Sequence, residues 1–190
     1  QNVLFTLAVA WGTKHPGNPH FHNADLLHAI CIGGKALVDA QDENGMWTFR
    51  KKDNSTWGQI HMPWTYSRWI RAYTIVGDAM PEASRALWAR GLRHGYSRIN
   101  AYLNESRVHN IPTHHAMGLA IAANALDQPE WRETARRFMA KVVAEQDPDG
   151  FWSENHGPVV GYNQVYVDAL GIYLATTQDK SVLQALQRAA

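Results

Sequence analysis

An all-α fold assembled from helical hairpins is what this sequence predicts, on three observations. Apolar residues recur at helical spacing along most of the chain, strand-like alternation is almost absent, and the connections alternate between tight and long.

Taken in order, the helical stretches are 2–12, 24–41, 64–77, 81–104, 112–126, 129–145, 162–176 and 180–190. The first reads as helix interior from its opening residues (VLFTLAVAW). Asn23 precedes the second with a side chain suited to accepting from a helix's free N–H groups, and Pro63, Pro81 and Pro112-Thr113 open the third, fourth and fifth. Gly77-Asp78-Ala79-Met80-Pro81 and Asp127-Gln128-Pro129 are tight links. By contrast, 42–63 and 146–161 are long, rich in Gly, Trp, His and Asn, and poor in helix formers. Loops of that length holding Trp are where function concentrates.

Composition bounds the class. With 190 residues, 45% hydrophobic and 18% charged, the chain can bury one sizeable core and is not disordered, so a single domain over 1–190 is expected. Its formal charge is +1 with Lys and Arg scattered, which excludes a dedicated nucleic-acid binder. No apolar run approaches the roughly 20 residues that cross a bilayer, and Cys31 stands alone. Because Gln1 is not an initiator Met and both ends read as helix in progress, the chain is expected to be part of a longer polypeptide, whose remainder or another chain would complete the fold.

The two long loops resemble each other. Gln41-Asp42-Glu43-Asn44-Gly45-Met46-Trp47-Thr48 matches Gln146-Asp147-Pro148-Asp149-Gly150-Phe151-Trp152-Ser153. Each is followed by His-x-Pro and a Tyr: His61, Pro63 and Tyr66 in the first, His156, Pro158 and Tyr162 in the second. A unit of about 100 residues therefore repeats, and hairpins stacked in sequence bury a core that one pair cannot. Gly45 and Gly150 permit the positive φ of a turn, and Trp47 and Trp152 fold back to brace it while remaining candidates to touch a ligand. This Q-x-x-x-G-x-W pattern is similar to motifs of several α/α-toroid families, terpene cyclases among them. The resemblance implies hairpins arranged in an incomplete (α/α)n toroid, with both aromatic loops on one rim.

Asp149-Gly150-Phe151-Trp152-Ser153-Glu154-Asn155-His156 and the following Tyr162-Asn163-Gln164-Val165-Tyr166-Val167-Asp168-Ala169-Leu170 carry a more specific likeness. They resemble the segment of chondroitin AC and hyaluronate lyases in which a D-G-[ST]-[FY] turn leads to a catalytic His and a catalytic Tyr opening an inward-facing helix. That resemblance implies catalytic roles for His156 and Tyr162, with Tyr166 in reserve. The loop between them is shorter than the family pattern, and Asn155 stands where a Gln is usual. Arg107-Val108-His109-Asn110-Ile111-Pro112-Thr113-His114-His115 loosely resembles the Asn-bearing helix start of alginate and heparinase II/III-like toroid lyases, which implies Asn110 as a holder of the substrate carboxylate. His114 and His115 diverge by 100° on a helix, so at most one faces a cleft, and His115 is the choice.

Uronate β-elimination sets definite tasks. The C5 proton lies α to a carboxylate, which must be neutralised while a base removes the proton and an acid protonates the departing O4. Asn110 with His115 or Arg107 suits the neutralisation, and His156 and Tyr162 suit the proton transfers. Trp47, His61, Trp64, Tyr66, Arg107 and Trp152 are the expected substrate-binding residues, with the Trp64 or Tyr66 ring as a platform for a pyranose face. Two other constellations stand beside this one. His20, His22, Asp25 and His28 have spacing compatible with a metal, although capping or lining a cleft rim is the preferred reading and no metal or cofactor is expected. Asp149 and Glu154 are candidate acid and base of an inverting glycosidase. The expectation is thus a polysaccharide lyase acting on a uronate-containing polymer, secreted or periplasmic. An inverting glycoside hydrolase or a non-catalytic carbohydrate-binding fragment are the alternatives.

Overall fold

Helices begin within three residues of where the sequence signals them, and the structure, a computed structural model that describes residues 3–154 and 157–190, is mostly helical. The chain divides into two compact units, 1–98 and 99–190.

In the first unit, α1 (Val3–Gly12), α2 (Ala24–Asp39), α3 (Pro63–Val76) and the beginning of α4 (Glu82–Glu105) supply the helices. Asn23 caps α2 as expected, its side chain accepting from the Leu26 N–H at 2.8 Å. Pro63 occupies the first turn of α3, where its missing N–H costs nothing. α1 packs on α2 and α3, and the core gathers Ile30, Tyr66, Trp69, Ile70, Trp88, Leu92 and Tyr96. Trp69 and Trp88 meet edge to face at 6.0 Å.

In the second unit, α5 (Asn110–Ala125) packs against α6 (Pro129–Ala144) and α7 (Val160–Thr177), and α8 (Leu183–Arg188) closes the chain after a short 3-10 turn. α5 is buried on nearly every side, from Pro112 through Ala123. Its small residues, Ala116, Gly118, Ala120, Ala122 and Ala123, allow neighbours that close.

Strand is the main departure from the expected secondary structure among the described residues, beside shifts of two or three residues at the starts of α5, α7 and α8. Each long loop folds into an antiparallel hairpin: β1 (Trp47–Arg50) with β2 (Thr56–Ile60), and β3 (Ser153–Glu154) with β4 (Gly157–Pro158). Runs of two to five residues interrupted by Gly and Pro carry too little alternation to register as strands in sequence.

The internal repeat is present in detail. In both units the Asp after the Gln (Asp42, Asp147) exchanges backbone bonds across the turn, and its carboxylate accepts from the backbone N–H two residues on. Gly45 and Gly150 have φ of 75° and 90°. The Trp47 and Trp152 indoles donate to Leu37 and Val142 carbonyls, each ten residues back. Gln41 and Gln146 each donate from Nε2 to the backbone carbonyl of a later helix, Gly91 and Ala185.

Candidate functional site

A helix start with a free N–H, a buried acid and a buried phenol meet in the second unit. His109 precedes α5 in the capping position but supplies no side-chain cap. The Asn110 N–H instead donates to Glu154 Oε1 at 2.7 Å, from a residue 44 positions away. Tyr166 of α7 donates its hydroxyl to the same oxygen at 2.8 Å. Glu154 is 9% exposed, so its carboxylate sits at the positive end of the α5 dipole with little water around it. Burial, and then the Glu154 carboxylate, push the Tyr166 hydroxyl far above its ordinary range, so it stays a proton donor.

Local geometry holds this trio in place. The Tyr166 ring lies flat on Trp152, 4.9 Å between centroids at 8°. Asn163 accepts from the Trp152 N–H at 2.7 Å and donates to the Trp152 carbonyl at 3.1 Å, pinning the strand to α7.

The first unit shows what is distinctive here. Its Trp47 packs on Tyr66 at 4.8 Å, so the partner of Tyr66 in the repeat is Tyr166, not Tyr162 as the sequence pairing had it. The reason is hairpin length: the turn motifs lie 105 positions apart (Gln41 to Gln146), whereas the tyrosines lie 100 apart, the second hairpin being shorter. Tyr66 bonds to the Gly45 carbonyl and accepts from Gln41 within its own turn. Two residues after the Trp, Phe49 stands where the second unit has Glu154. Beside the shorter hairpin, the second unit thus differs from the first by a buried acid.

The other expected site residues fall in several places. Tyr162 lies one turn before Tyr166 on the same face of α7 and is 44% exposed. Asn110 is buried in the first turn of α5. His115 is buried with its ring edge-on to Tyr102, 6.1 Å away, and His114 is buried beside it. Arg107 is exposed in the connection to α5. Trp47, Trp152 and Tyr66 are core residues, while Trp64 is partly exposed at the start of α3. His61 contacts the Asn44 carbonyl through Nε2 at 2.9 Å, and burial lowers its pKa. His156 lies outside the described residues.

Near the chain's beginning, His22 is stacked between Trp11 (4.5 Å) and Phe21 (4.0 Å). Among the described residues no group of His, Cys, Asp and Glu is arranged to hold a metal ion. No helix among them is long and apolar enough to cross a membrane.

An open cleft of about 640 Å³ lies along another face of α7, bounded by Asp149, Phe151, Gln164, Val167, Asp168 and Arg188 among others. Arg188 is anchored there by two bonds to Gln146 Oε1, at 3.0 and 2.7 Å. Sequence reading placed Asp149 with Glu154, but Glu154 is not part of this lining and Asp168 is. Comparison with known proteins finds no matching family model, no matching curated protein and no matching solved structure.

Proposed function

We propose that this chain is the helical-hairpin part of an α/α toroid and cleaves a uronate-containing polysaccharide by β-elimination. The observation that supports it is the meeting of the Asn110 N–H and the Tyr166 hydroxyl on one Glu154 oxygen. It brings the first residue of α5 beside the second turn of α7, one turn beyond Tyr162, an approach that no local structure enforces and that supports an amide-and-phenol mechanism.

In this reading Glu154 and Tyr166 are positioning residues. Glu154 already occupies the positive end of α5, so the substrate carboxylate falls to the Asn110 carboxamide and Arg107 rather than to the helix N-terminus. His115, further along α5, is the alternative to Arg107 as the group that neutralises the carboxylate with Asn110. Tyr162, exposed at the edge of the same helix face, transfers the proton: a base takes the C5 proton, the carbanion electrons form the C4–C5 double bond, and the O4 bond breaks with protonation of the leaving oxygen. His156 is the companion base. A polymer of this kind places the protein outside the cytoplasm, secreted or periplasmic.

Ultraviolet absorbance of the unsaturated product, screened over alginate, chondroitin, hyaluronan, heparan and glucuronan, tests the reading. Tyr162→Phe lowers turnover by about 10²-fold or more while sparing binding. Full activity of that variant on the right polymer defeats the assignment. The cleft that holds both Asp149 and Asp168 favours a second reading, an inverting glycosidase, whose mark is new reducing ends without the absorbance.

A further inference from the structure

The β1–β2 hairpin carries a feature that neither repeat logic nor the elimination chemistry uses. Trp57 is 72% exposed, at a strand position where a Trp loses much by facing water. Its ring is not loose: Phe49 lies against it at 4.8 Å and 18°, so the indole is held as a flat, backed platform. Arg50, Lys51 and Lys52 sit at the end of the same hairpin, all exposed, and Arg50 is paired in register with Thr56 beside Trp57. Among the described residues none of these three cations makes an ion pair. The nearest acid in sequence, Asp53, has one carboxylate oxygen committed to the Ser55 N–H and hydroxyl, which shape the turn. The second repeat has no counterpart, because its hairpin is cut to two-residue strands.

We propose that this hairpin is a binding flap for an acidic polysaccharide, with Trp57 stacking on the C–H face of a sugar ring and Arg50, Lys51 and Lys52 pairing with its carboxylates. It rests on the function proposed above for polysaccharide as the ligand class, and adds a contact outside the catalytic residues. The chemistry matches on both counts: a backed aromatic face takes a pyranose, and three uncompensated cations take a polyanion. A chain of net charge +1 whose other Lys and Arg are scattered, with three cations adjacent here, is unlike a nucleic-acid binder, whose basic surface is extensive.

Affinity electrophoresis of the whole chain carrying Tyr162→Phe, in gels containing hyaluronan, polygalacturonate or dextran, tests the flap with turnover suppressed. The acidic polymers retard the protein and dextran does not. Trp57→Ala and the Lys51→Glu, Lys52→Glu pair each weaken retardation on the order of tenfold, Trp57→Tyr retains most of it, and added salt reduces it. Because Trp57 lies outside the core, circular dichroism and the melting curve of these variants stay as in the parent. Retardation unaffected by Trp57→Ala overturns the proposal, as does equal retardation by dextran, or binding of phosphatidylserine vesicles or single-stranded RNA with none of either acidic polymer. Trp57-dependent retardation by a polymer from which the chain with Tyr162 intact never releases unsaturated product leaves the flap standing and removes the lyase reading alone.

Discussion

Glu154 accepts two hydrogen bonds on one oxygen, one from the first N–H of α5 and one from a buried phenol, in surroundings that screen little. Glu154→Gln keeps the shape and an acceptor but removes the charge that answers the helix dipole. It is expected to cost about 1–2 kcal/mol in urea unfolding. Tyr166→Phe is expected to cost a similar amount, about 1–2 kcal/mol, because the carboxylate loses one of its two donors. The double variant costs less than the sum, since the bond that Tyr166→Phe removes is the one that Glu154→Gln weakens by taking away the charge; strict additivity would show that the two residues are not coupled. His61 makes a pH prediction. Burial depresses its pKa below the ordinary 6.5, so the unfolded chain binds the proton more readily. Its contribution is fully present above 6.5 and is lost as pH falls toward and through the lowered value. His61→Gln flattens the dependence of melting temperature on pH in that window, and an unchanged slope would contradict the assignment.

At the scale of elements, the two glycines of interest behave oppositely. A Cβ at Gly150 would lie 2.0 Å from the Arg188 carbonyl oxygen, at a φ of 90°. Gly150→Ala therefore costs more than about 2 kcal/mol in denaturant unfolding. Gly171, inside α7, has open space where its Cβ would go, and Gly171→Ala stabilises by about 0.5–1 kcal/mol. If both cost the same, backbone strain at the turn is not what selects Gly150. Helices were legible because proline openings, the Asn23 cap and apolar spacing agreed over ten or more residues for most of them. The Gln-Asp-Gly-Trp turn was legible because the chain states it twice. What escaped was short or displaced: the strands, the shift of the tyrosine pairing caused by a shortened hairpin, and the partners of Glu154, which the sequence marks only as a candidate glycosidase acid or base and which stands where the first loop has Phe49.

For the molecule as a whole, burial is distributed unevenly among helices. α5 is enclosed from Pro112 to Ala123, whereas α1 exposes Val3 and Val9, and α8 exposes Leu183. Amide hydrogen exchange is expected to be slowest in α5 and fastest at α1 and α8, and protection of α8 equal to that of α5 would contradict this ranking. The site was half legible at this scale. Asn110 and Tyr166 stand out in separate segments, and Glu154, from the Tyr166 segment, stands out only as a candidate glycosidase acid or base; that it would join the two is not written in the sequence. The duplicated turn has a further consequence, for measurement. A substitution such as Gln→Ala can be made at Gln41 or at Gln146, within nearly the same local sequence and in one polypeptide. The change in the unfolded ensemble is then close to equal at the two positions and cancels in the difference. What remains is the contrast between native surroundings: Tyr66 hydroxyl and Gly91 carbonyl against Gln41, Arg188 guanidinium and Ala185 carbonyl against Gln146. Each copy of the turn is the other's reference state.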